Sequence, residues 1–104
     1  MGLFQKSIKV TELNAMDASQ LKRVIDVRSN VEYKQGHVKG TKNVPLEKLV
    51  NNPKAFIKDE GDYFVICQSG MRSKRAISLL KKQGYQNLIN VKGGYLTYAR
   101  FQNN

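Results

Sequence analysis

Three short apolar runs, Val24-Ile25-Asp26-Val27, Tyr63-Phe64-Val65-Ile66 and Leu88-Ile89-Asn90-Val91, alternate with stretches of helical character. They are short for helices and rich in the β-branched and aromatic residues that suit strands. They are also too continuously apolar for strands with one wet face, which places them in a parallel sheet covered on both sides. Ser7-Ile8-Lys9-Val10 adds an alternating strand near the start, followed by a brief helix around residues 11–13 or 18–22. Ser29 or Asn30 can cap a short helix running to Gln35, which Gly36 stops. Pro45 opens another through Val50, broken by Asn51-Asn52-Pro53, and a further short helix is expected over residues 54–58. From Ser73 to Gln83, Ala76, Ile77, Leu79 and Leu80 form an apolar face opposite Lys74, Arg75, Ser78, Lys81 and Lys82, with Gly84 as the stop. Residues 95–101 read as a last helix. The expected class is therefore α/β, a central and mostly parallel sheet flanked by helices on both faces. At this length residues 1–104 fit one domain.

What the chain lacks narrows its chemistry. One cysteine, Cys67, excludes an intramolecular disulfide and a Cys/His zinc cluster, so no metal is expected. A lone thiol suits a reducing, cytoplasmic setting. No apolar run approaches the length of a membrane span, and Met1-Gly2-Leu3-Phe4-Gln5-Lys6 carries neither a signal-peptide core nor a myristoylation pattern. Of the 18 Lys and Arg residues, 11 share residues 1–62 with all 8 acids, whereas residues 63–104 hold 7 and no acid. That asymmetry sets a positive field over the second half and draws anions toward it. The charges come singly or in pairs without a nucleic-acid-binding signature, so nucleic acid is not the expected partner.

A candidate site lies between the second and third apolar runs. Cys67-Gln68-Ser69-Gly70-Met71-Arg72-Ser73 joins the best strand to the best helix. Ligands of open α/β sheets gather at the carboxyl ends of strands, where this cysteine falls. A helix entry leaves its first amides unpaired and able to converge on an anion, Gly70 permits a tight turn, and Arg72 adds a permanent cation. A thiol so placed is expected to ionise readily, with a pKa somewhere between ~3.5 and ~7.5. Cys67 is then a nucleophile, cradled by Gln68, Ser69, Gly70, Met71, Arg72 and Ser73. A loop that forms cysteinyl-phosphate places five residues between its Cys and Arg. Here four separate Cys67 from Arg72, which narrows the cradle and favours a sulfur atom on the cysteine over a tetrahedral oxyanion.

With these residues in place the sequence resembles a single-domain rhodanese, a sulfurtransferase. The resemblance rests on Cys67, Gly70, Arg72 and Ser73 in the loop. Upstream it takes in Asp26-Val27-Arg28, Glu32-Tyr33, Gly36-His37-Val38, Gly40 and Asn43-Val44-Pro45, and downstream Val91-Lys92-Gly93-Gly94. Gln68 stands where many members carry Arg, Thr41 where Ala is common and Tyr98 where a Trp usually closes the domain. The resemblance implies a two-step transfer. The Cys67 thiolate takes sulfane sulfur from a small anionic donor such as thiosulfate, or from a polysulfide or persulfide. The resulting persulfide gives it to cyanide, to thioredoxin or to a low-molecular-weight thiol, with no cofactor. Gln68 lowers the positive charge at the mouth, against thiosulfate as the preferred donor. The alternatives are a persulfide carrier serving one protein partner and, on the same fold, a cysteine-dependent phosphatase or arsenate reductase.

Other residues are expected to be scaffold. His37, the only histidine, is expected to be hydrogen-bonded and not a base. Asp26 is expected to satisfy loop amides. Arg28 should reach Glu32 four residues on, and it is the further candidate for substrate contact. Gly93-Gly94 should shape a turn, since no third glycine follows to make a nucleotide loop.

Overall fold

The computed structural model of the chain describes residues 5–102; Met1-Gly2-Leu3-Phe4, read above for targeting signals, lies outside them. Five strands, β1 (Lys6–Lys9), β2 (Val24–Asp26), β3 (Lys42–Asn43), β4 (Tyr63–Ile66) and β5 (Leu88–Lys92), form one sheet in the order β1-β5-β4-β2-β3. Every pairing is parallel. The expectation of a mostly parallel sheet is thus met by one with no antiparallel pair among the described strands.

The crossovers are short helices, α1 (Ala18–Leu21), α2 (Asn30–Gln35), α3 (Leu46–Asn51), α4 (Met71–Lys82) and α5 (Gly94–Gln102). Two of the starts follow from side chains that satisfy the unpaired amides of a first turn. Ser29 Oγ accepts from the Glu32 amide at 3.1 Å while Glu32 Oε1 accepts from the Ser29 amide at 2.9 Å. Asp17 and Gln20 make the same reciprocal pair at the start of α1.

Several boundaries differ from expectation. Val10 leaves β1 and opens a 3₁₀ segment over Val10–Ala15. The helix expected over residues 54–58 is a single 3₁₀ turn, Pro53–Ala55, because Pro53 sits at its first position and presets the backbone for a turn. Helix α4 starts at Met71, two residues earlier than its apolar periodicity suggests. Strand β3 has no hydrophobic signature; it forms because Lys42 and Asn43 come into register with Ile25 and Asp26.

The helices cover both faces. One core joins Ile25, Val65 and Leu88 of the sheet to Leu49, Ala76, Ile77 and Leu80 of α3 and α4. The other joins Val24, Ile66 and Val91 to Val10 and Leu13, with Leu21, Tyr95 and Tyr98 packed against it. Alternating strand residues thus serve opposite cores, as their pleat requires. Tyr98 fills space in this second core. β4 lies at the centre of the sheet, so the loop that follows it receives walls from β2 on one side and β5 on the other.

Candidate active site

Cys67 follows the last residue of β4 and is 1% exposed. Its Sγ accepts a hydrogen bond from the Gly70 amide at 3.0 Å and lies 3.4 Å from Ser73 Oγ. Gly70 is the N-cap of α4 with φ 106°, a left-handed conformation that turns its amide back onto the sulfur. No side chain caps α4. Its ladder begins with the Lys74 amide on the Gly70 carbonyl at 3.3 Å, leaving the amides of Met71, Arg72 and Ser73 outside the helical ladder. Gln68 is half-buried, Ser69 exposed, Met71 72% exposed and Ser73 fully buried. The anticipated loop residues therefore separate into an inner set around the sulfur (Gly70, Ser73) and an outer set on the rim (Ser69, Met71).

Arg72, anticipated as a permanent cation at the end of the loop, is paired with an acid. Its two terminal nitrogens donate to both oxygens of Glu32, at 2.7 and 2.8 Å. That pair, helped by the Ser29 amide, holds the Glu32 carboxyl down at about 2. Glu32 in turn keeps Arg72 more firmly protonated, and Cys67 lies near enough to add to this. The same carboxylate closes the capping box of α2, so the cap of one helix and the first turn of another share one side chain.

Arg28 departs from expectation. It does not pair with the Glu32 carboxylate, which Arg72 occupies; only its Nη1 reaches the Glu32 backbone carbonyl, at 3.5 Å. Arg28 is 2% exposed and holds Asp26, itself 1% exposed, through Nε at 3.0 Å and Nη2 at 2.9 Å. Asp26 Oδ1 takes the Arg28 amide as well, so Asp26 satisfies a local amide as anticipated. Arg28 Nη2 donates to the Gly36 carbonyl at 2.8 Å, Nη1 to Gln68 Oε1 at 3.3 Å, and the guanidinium lies 4.5 Å over the Tyr95 ring. A planar fork with five donors thereby ties β2, the end of α2, the loop and α5 together. Arg28, Glu32, Gln35, Gly36, Gln68 and Tyr95 line a small open cleft of about 170 Å³ beside the loop. Any contact of Arg28 with a substrate is through that cleft.

The far wall is α5. The Tyr95 amide donates to the Cys67 carbonyl at 2.8 Å and the Leu96 amide to the Gln68 carbonyl at 3.0 Å. Such an approach has no room for a side chain at Gly94, where a Cβ would stand 2.5 Å from each of those carbonyl oxygens. Gly93-Gly94 accordingly shapes a turn against the loop. His37 Nδ1 lies 2.8 Å from the Tyr33 carbonyl and its ring stacks on Tyr33 at 3.7 Å. Asn90 escaped the sequence reading. It is 1% exposed and its Oδ1 lies 2.5 Å from Ser73 Oγ; the only signal was a polar residue inside an apolar run. Among the described residues no three of His, Cys, Asp and Glu stand together to hold a metal ion, and no helix is long and apolar enough to cross a membrane.

The chain is similar to known proteins in sequence and in fold. Residues 9–100 match the rhodanese-like domain. Thiosulfate sulfurtransferase 18 of Arabidopsis thaliana is 32% identical over 89% of the chain and 83% of its own length. The putative sulfur carrier protein YrkF of Bacillus subtilis is 34% identical over 76% of the chain, which spans only 42% of that longer protein. The human single-domain sulfurtransferase TSTD1 superposes with a TM-score of 0.75 at 26% identity, over 93% of this chain and 97% of that one. A match that takes in β2, the cysteine loop and the Gly93-Gly94 turn together leaves one assignment, and the chain belongs to the rhodanese-like domain family.

Proposed function

We propose that the protein moves sulfane sulfur through a persulfide on Cys67. The observation that carries this reading is the Gly70 amide at 3.0 Å from Cys67 Sγ, at the mouth of a helix whose first amides stand outside the ladder. Such donors stabilise negative charge on sulfur before and after transfer. In the first step the Cys67 thiolate attacks the outer sulfur of a thiosulfate, polysulfide or persulfide donor. The donor's S–S bond breaks, its remainder leaves with the electron pair, and Cys67 carries a persulfide anion. In the second step the thiolate of thioredoxin or of a low-molecular-weight thiol attacks that outer sulfur, leaving as a persulfide and restoring the Cys67 thiolate. Electrons balance across the two steps without a cofactor, and the resolving thiol comes from the acceptor because the chain has one cysteine.

Gln68 and the Glu32–Arg72 pair both reduce the free positive charge at the mouth, which favours polysulfide or persulfide donors over thiosulfate. The four-residue spacing between Cys67 and Arg72 stands against phosphate esters as substrates. The test is intact mass after incubation with thiosulfate or polysulfide, then after reduction. One added sulfur atom, reversed by reduction and absent in Cys67→Ser, is expected. No gain from either small donor in a folded protein would refute turnover on small donors and leave the carrier reading that the resemblance to a putative sulfur carrier supports. Release of nitrophenol from a chromogenic phosphate ester would refute the sulfur reading outright.

A further inference from the structure

Asn90 lies on β5 in register with Val65 of β4 and Ser7 of β1, in the interior of the sheet. A buried amide there gives up the apolar contact a β-branched residue would make, and needs a polar reason to be present. Its oxygen faces Ser73 Oγ, which has one proton and three polar neighbours. These are Asn90 Oδ1 at 2.5 Å, the Gly70 carbonyl at 3.1 Å and Cys67 Sγ at 3.4 Å. With that proton given to Asn90, the lone pair of Oγ faces Cys67 and accepts from its S–H. This arrangement suits a thiol.

A sulfur anion requires the reverse, with Ser73 donating to sulfur. Turning the hydroxyl alone would leave Oγ and Oδ1 at 2.5 Å with no proton between them. A half-turn of the Asn90 amide about its terminal bond removes the conflict by presenting Nδ2–H to Oγ. A carboxamide offers acceptor and donor in one volume, which neither an apolar side chain nor a carboxylate does.

We propose that Asn90 is a positioning residue for sulfur transfer: through Ser73 it aims the hydroxyl proton nearest Cys67 among the described residues, toward the amide when the sulfur is a thiol and toward the sulfur when it is an anion. The inference rests on the persulfide reading above. The proton Cys67 releases passes to solvent, and the amide only turns. The charged groups that face the sulfur are Arg72 on α4, paired with Glu32 of α2, and behind them the Asp26–Arg28 pair at the end of β2. None of these hydrogen-bonds Asn90 among the described residues, and α5 contributes a backbone amide to Cys67. Replacing Asn90 therefore alters the hydroxyl and leaves the charges in place.

The test is the rate of Cys67 alkylation by iodoacetamide against pH, which reads the thiolate without any sulfur transfer. It is run in the wild type, Asn90→Leu, Ser73→Ala and the double variant, with circular dichroism as the check on folding. Losing the donor behind the hydroxyl weakens a charge-assisted chain more than a neutral one. The alkylation midpoint of Asn90→Leu is expected to rise by about half a pH unit or more, an apparent threefold loss of thiolate at a fixed pH below it. Persulfide formation from polysulfide should slow by a similar factor. In the Ser73→Ala background the same substitution should move neither quantity. An unchanged midpoint in folded Asn90→Leu overturns the proposal, as does an equal shift with and without Ser73. Where Asn90→Leu does not fold, Asn90→Val is read in the same way, and Ser73→Ala without a shift of its own also overturns it. Alkylation that follows the expected pattern in a protein forming no persulfide would refute the transfer reading while leaving the Asn90 relay standing.

Discussion

Gly94→Ala separates a steric argument from a backbone one. Gly94 has φ +62°, within the left-handed region, and an added Cβ would stand 2.5 Å from the carbonyl oxygens of both Cys67 and Gln68. Ordinary contact begins at 3.4 Å, so the loop carbonyls or the start of α5 must retreat by most of an ångström. Left-handed backbone costs a residue with a Cβ about 1–2 kcal/mol, and forced overpacking adds about 1–3 kcal/mol. A loss of about 3 kcal/mol is therefore expected, equivalent to roughly 12–24 °C in Tm for a domain of this size. Gly84 supplies the control. Its φ of +101° is further from what a side chain tolerates, yet a Cβ there meets nothing within 4 Å. Backbone strain alone ranks Gly84→Ala as the worse substitution; the contacts rank Gly94→Ala as the worse. Thermal unfolding of both decides, with alkylation of Cys67 alongside, since only Gly94→Ala displaces the residue that bears the thiol. A Gly94→Ala protein no less stable than Gly84→Ala, with wild-type alkylation, would refute the view that α5 sets the loop's position.

Other outcomes follow from the ion pairs. Asp26→Asn leaves the 2%-exposed Arg28 without its carboxylate and should cost about 3–5 kcal/mol by urea unfolding; a loss below about 1 kcal/mol would show the pair to be dispensable. Glu32, held at about 2 against an ordinary 4.5, contributes stability that is fully present above that ordinary value and is lost as pH falls through the folded one. Because both partners are partly exposed, the contribution is about 1 kcal/mol, and Glu32→Gln should flatten this part of the stability–pH curve; an unchanged curve counts against the pairing. Arg72→Ala removes the cation and leaves Glu32 beside the loop. It should lower kcat/KM for thiosulfate about tenfold more than for a neutral trisulfide, a difference of about 1.4 kcal/mol; equal losses would mean Arg72 serves only to hold α2.

The sheet was legible where apolar residues run together. The runs at 24–27, 63–66 and 88–91 each hold a strand, β2 ending one residue early at Asp26, because continuous burial on two faces leaves a continuous apolar signature. β3 left no such trace, being two residues long at an edge and held by register with β2 alone. The turn of the cysteine loop could be read because a glycine ahead of a helix start is a local signal. Its supports could not. Glu32 reads as a helix cap, and only the docking of α2 against α4 brings its carboxylate to Arg72. Sequence spacing offered Arg28 the acid four residues on, but burial instead selected Asp26, two residues before it and inside the sheet, where both charges leave water together. Asn90 looked like an imperfection in a strand because its partner, Ser73, comes from another element 17 residues away.

The all-parallel sheet also bears on how fast the molecule acquires its site. Among the described strands no pair is a hairpin. The shortest pairing, Ile25 with Lys42, spans 17 residues, and the others bring together Tyr63 with Leu88, Val24 with Phe64 and Lys6 with Ile89. Closing the last of these loops costs on the order of 4 kcal/mol in chain entropy before any contact repays it. Pairings this distant along the chain place its folding on the slower side of a helical bundle's microseconds to milliseconds. The thiol's neighbours come from β2, α2, α4, β5 and α5, so they assemble only when the crossovers have closed. A partly folded chain therefore leaves Cys67 in water, whereas the finished fold buries it to 1% exposure, and the accessibility of that one sulfur reports the completion of the fold.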